Sequence, residues 1–113
     1  MKAHPSLSRR YVLSKGPNAI ALMIASEFGR AANRSEHRQN VLNCYQRARE
    51  LMGILETVLL PLKVSETLQP WYFKAREQEL LTEERMQPMW VQKFCSEAAA
   101  EFNQAASLLD QSE

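Results

Sequence analysis

The chain has 113 residues, 45% hydrophobic and 24% charged, which fits one ordinary globular domain and excludes disorder over most of its length. A formal net charge of +1 argues against a dedicated nucleic-acid binder. The most apolar stretch, Leu51 to Leu62, is interrupted by Gly53, Glu56 and Pro61, so it is too short and too polar to span a membrane.

The composition favours helices. Ala, Leu, Glu, Gln, Arg and Met are plentiful, and these side chains lose little rotamer freedom on a helix. Strict alternation of apolar and polar residues, the mark of a half-buried strand, is missing. Residues 1–15 read as a basic N-terminal arm, with Tyr11, Val12 and Leu13 forming a patch that can fold back. Lys2, Arg9, Arg10 and Lys15 all precede the first acid, Glu27, whereas only acids follow Lys93: Glu97, Glu101, Asp110 and Glu113. The plain reading is a solvated tail and helix face; the sharper one is a basic arm that touches an acidic partner. Residues 1–16 lack the apolar core of a secretory signal, so the expected compartment is the cytoplasm, with Cys44 and Cys95 as buried thiols. The sequence leaves open whether the two sulfurs meet.

Residues 16–110 read as one helical-bundle domain. Gly16-Pro17 opens a first helix that runs to about Ala32, because proline needs no donor in the first turn. Ile20, Met23, Ile24 and Phe28 form its inner stripe. Ser35 is the expected cap of a second helix. Its apolar residues Val41, Tyr45, Ala48, Met52, Leu55, Leu59 and Leu62 recur in alternating steps of four and three, a bundle-type stripe that Pro61 should end. A third helix should start at Ser65 or Gln69, with Pro70 in its first turn. Thr82-Glu83-Glu84 resembles a fresh cap, and Pro88 marks either a start or a kink. Val91, Phe94, Ala98 and Phe102 set the inner face of the last helix. The fold expected is all-α: an antiparallel up-down bundle of about four helices.

Few residues suggest chemistry. His4 and His37 have no Cys, His, Asp or Glu at metal-binding spacing, so the sequence calls for no metal and no cofactor. Arg30 and His37, with six residues between them, resemble the Arg–His motif of HEPN-type ribonucleases, also small helical bundles. The resemblance implies His37 as acid or base and Arg30 as the stabiliser of phosphate charge. Gly29-Arg30-Ala31 departs from that family, which carries a polar residue after the Arg.

The aromatic content points elsewhere. Trp71, Tyr72 and Phe73 are consecutive, and a helix turns 100° per residue, so one core cannot take all three. With Met86, Met89 and Trp90 close behind, they form a candidate partner-binding patch of flat and flexible side chains suited to a helix-binding groove. The plainer alternative is that they fill the end of the bundle.

Two stretches resemble flagellin-specific export chaperones. The first is Val12-Leu13-Ser14, then Pro17, Ile20, Leu22, Met23 and Ile24; the second is Arg47-Ala48-Arg49-Glu50-Leu51 through Leu55. The span between them is shorter here than in that family. The resemblance implies a cytoplasmic antiparallel bundle that holds an aggregation-prone partner helix until export. The function expected is therefore non-enzymatic protein binding, with an amphipathic helix as partner. A self-associating scaffold or an accessory subunit is the alternative within that class, and the ribonuclease is the alternative from another.

Overall fold

A computed structural model describes residues 8–111. Among them the chain forms four helices and no strand: α1 (Arg9–Asn33), α2 (Arg38–Leu55), α3 (Leu62–Glu84) and α4 (Pro88–Gln111). Short connections make successive helices antiparallel. The return of α4 to α1 is antiparallel too, since Asn18 near the start of α1 donates to the Ala106 carbonyl near the end of α4. α1 packs broadly on α2 and α4, whereas α3 rests on α2 and α4 through smaller contacts.

The first helix starts earlier than Pro17. Ser8 caps it, its hydroxyl accepting from the Tyr11 amide, and residues 9–15 are helical with Val12 fully buried. The chain then breaks at Gly16, whose φ of 86° lies where glycine alone is comfortable, and Pro17 restarts the helix. Residues 1–7 of the expected arm, His4 among them, lie outside the described residues.

The second helix ends six residues before Pro61. The amides of Thr57 and Val58 turn back to the carbonyls of Ile54 and Leu55, and the Thr57 hydroxyl also donates to Ile54, at 2.7 Å. The apolar stripe thus outlasts the helix, and Leu59, expected in the core, is 98% exposed. Pro61 instead caps α3, its carbonyl accepting from Val64 and Ser65. Pro70 therefore lies inside α3 rather than in its first turn, and Thr82 belongs to the last turn of α3. His37, not Ser35, occupies the N-cap position of α2, without a side-chain cap. Pro88 starts α4.

An aromatic cluster joins all four helices. Phe28 of α1 meets Tyr45 of α2 at 6.2 Å and Phe94 and Phe102 of α4 at 6.0 Å each. From α3, Trp71 meets Phe94 at 5.7 Å and Tyr72 meets Phe102 at 6.4 Å. Ile20, Ile24, Val41, Ala48, Met52, Leu55, Val91 and Ala98 are buried around it, as their spacing predicts, while Met23 and Phe94 are half-buried. No helix among the described residues is long and apolar enough to cross a membrane.

Candidate functional site

The six aromatic and methionine residues do not form one patch. Successive positions on α3 point 100° apart, and this sends Trp71, Tyr72 and Phe73 three ways. Trp71 turns toward α4 and lies half-buried against Phe94, with the Lys74 ammonium 4.6 Å above its ring. Tyr72 is half-buried, and burial pushes its hydroxyl up to about 12. Phe73 is 72% exposed. Met86, in the α3–α4 connection, packs on the core; Met89 and Trp90, in the first turn of α4, are 79% and 59% exposed.

Two grooves flank α3. The groove toward α4, about 240 Å³, is lined by Gln78, Leu81, Trp90, Lys93, Phe94 and Glu97. Trp71 does not line this groove but contacts Phe94, which does. The groove toward α2, about 540 Å³, takes Tyr72 and Phe73, with Leu60, Arg49, Glu56, Ser65, Gln69 and Arg76. The sequence missed Leu81 as a groove residue. The signal was available: Leu80 and Leu81 are adjacent on a helix, and both come out exposed.

The wall of the larger groove is held by ions. Glu79 of α3 is buried, and Arg49 of α2 grips it with two hydrogen bonds, Nε to Oε1 at 2.9 Å and Nη2 to Oε2 at 3.2 Å. Arg76 adds a third contact at 3.4 Å. A matching cluster joins α1 to α2. Buried Glu27 accepts from Arg30 at 2.7 Å and from Arg47 at 3.1 Å. Arg47 and Arg49 are two positions apart, so they leave α2 about 200° apart and reach opposite neighbours.

Arg30 and His37 have different surroundings. Arg30 is engaged with Glu27, while His37 lines a polar pocket of about 380 Å³ at the α1–α2 turn, with Arg34, Ser35, Glu36 and Gln92. Arg30 does not line that pocket. Among the described residues, no three His, Cys, Asp or Glu side chains cluster as a metal site. Both cysteines are free and buried. Burial raises each thiol, Cys95 to about 11, and Cys95 donates to the Tyr45 hydroxyl at 3.5 Å. Comparison of the chain with protein-family models, curated proteins and solved structures gives no match.

Proposed function

We propose that this chain is a non-enzymatic protein-binding bundle that holds a partner helix in the apolar groove between α3 and α4. The observation that carries the reading is Trp90. It is a large aromatic side chain left 59% exposed at the mouth of a groove walled by Leu81 and Phe94. Leu81, Trp90 and Phe94 together give the groove a contiguous apolar lining of the kind interaction sites use, and tryptophan is a frequent anchor of protein interfaces. The stretches that resemble flagellin-specific export chaperones support the same class of work. Two free, buried thiols suit a reducing compartment such as the cytoplasm.

The test is capture from native lysate, identification of the partner by mass spectrometry, and titration of that partner against wild type and Trp90→Ala. The variant should bind about thirtyfold more weakly, the equivalent of about 2 kcal/mol, with its thermal unfolding unchanged. A partner that binds both proteins equally would overturn the α3–α4 groove as the site. Self-association abolished by Trp90→Ala would replace the partner helix with the scaffold reading.

A further inference from the structure

We propose that the occupant of the α3–α4 groove is a basic amphipathic helix of a protein partner. The inference rests on the protein-binding reading above and specifies the chemistry of what is bound. It starts from how charge divides between the two helical hairpins. Residues 8–60, which carry α1 and α2, hold eight Lys and Arg against four Glu. Residues 61–111, which carry α3 and α4, hold five Lys and Arg against eight Asp and Glu. A molecule near neutrality overall is thus a basic hairpin packed on an acidic one.

Apolar exposure falls on the acidic half. Among the described residues, seven of the eleven exposed large hydrophobic side chains belong to α3 or α4. A surface that is both apolar and acidic is complementary to a helix with an apolar face flanked by Lys or Arg. The layout along α4 is consistent with that. Trp90, Phe94, Glu97 and Glu101 follow one another in steps of four, three and four, so they share one flank of the helix. A partner helix laid along this flank meets apolar side chains at one end and carboxylates one to two turns further on. Lys93 also borders the groove and offsets Glu97 there, so the acidic excess along this flank comes from Glu101 and from the rest of the hairpin, while Lys74 is drawn in over the Trp71 ring.

Other occupants fit less well. Polyanions such as RNA, and anionic lipid surfaces, are repelled by this half of the molecule. A second copy would have to present its basic hairpin, whose exposed large apolar groups are Tyr11, Leu13, Leu22 and Leu59, spread over three separate segments.

Three labelled peptides of about 18 residues, long enough to lie along most of α4, test this by fluorescence anisotropy. One is an amphipathic Leu/Lys helix, one its Leu/Glu counterpart, and one a scrambled Leu/Lys sequence with no apolar face. The Leu/Lys helix should bind at least about tenfold tighter than either of the others, and should weaken as salt rises. Trp90→Ala should weaken it, and Glu97→Lys with Glu101→Lys should shift the preference toward Leu/Glu. Equal binding of both amphipathic helices, lost in both cases with Trp90→Ala, would overturn the basic partner and leave the apolar groove standing. Leu/Lys binding indifferent to Trp90→Ala would overturn the site itself. Failure of all three peptides, together with self-association that Trp90→Ala abolishes, would assign the face to a second copy and overturn the proposal.

Discussion

The Tyr45 hydroxyl is a point where three helices meet. It belongs to α2, accepts from Cys95 of α4, and interacts with the side chain of Thr82 in α3. Burial pushes this phenol well above its ordinary value and raises the Cys95 thiol from 9.0 to about 11. A buried acid of this kind keeps its proton in the folded chain after the unfolded chain has released its own. Stability is therefore full below pH 9 and falls as the pH climbs toward 11. Two units correspond to a loss of about 2–3 kcal/mol from Cys95. Denaturant unfolding followed from pH 8 to 11 should show this decline, and Cys95→Ala should lessen it, leaving the part that the other buried thiol and phenols contribute. Identical slopes for wild type and variant would show that the thiol does not titrate differently in the fold. The same locality explains what could be read of the aromatic triplet. Rotation by 100° per residue does require that Trp71, Tyr72 and Phe73 diverge, and it is Phe73 that faces solvent. The direction each ring takes depends on where α2 and α4 stand, which no local pattern encodes.

The end of α2 shows how far periodicity carries at the level of the element. Val41 through Leu55 keep their stripe and are buried, but Leu59 continues the same spacing into solvent. Spacing records which positions would share a face if the helix went on. It does not record that Thr57 closes the helix by bonding back to Ile54. Leu55→Ala should accordingly cost on the order of 2–5 kcal/mol, because it opens a cavity beneath a fully buried side chain. Leu59→Ala should change stability by less than about 0.5 kcal/mol. Urea midpoints for the two variants decide it: equal losses would mean that α2 extends past Leu55. Proline misled in the opposite sense. By local rules Pro61 stops a helix and Pro70 starts one. The first caps α3, and the second lies within it, where packing of Val64, Leu68 and Ala75 sustains the helix through the missing donor. The four-helix count and the buried faces of α1, α2 and α4 were legible because long amphipathic runs set them. Glu27 and Glu79 were not, since a carboxylate buried against arginines from another helix looks, in sequence, like any surface residue.

Across the whole molecule, α3 is the helix packed most lightly on its neighbours, and an ion pair with α2 helps to fasten it. α1 is sandwiched broadly between α2 and α4, and its stability should approach that of the global fold. α3 carries both candidate grooves, which means that its flanks are incompletely filled. Its fastening to α2 includes the two-pronged grip of Arg49 on Glu79. Glu79 is buried, so removing Arg49 leaves its carboxylate desolvated with Arg76 as the closest remaining cation, at 3.4 Å. Arg49 is about half exposed, which tempers the cost through solvent screening; a loss of about 1–2 kcal/mol is expected, below the range for a fully buried pair. That loss should be felt locally. In native-state hydrogen exchange, the amides of α3 should exchange faster than those of α1 in the wild type, and Arg49→Ala should accelerate α3 further while α1 changes only by the shift in global stability. Arg49→Ala combined with Glu79→Leu should recover part of the protection in α3, because the stranded charge is gone. Uniform acceleration across all four helices would show that the bundle opens as a single unit and that α3 is not a separately mobile wall. If α3 does open first, a groove of about 240 Å³ can widen to admit a helix at little cost to the α1–α2–α4 core, which links the light packing of this helix to the binding proposed for its face.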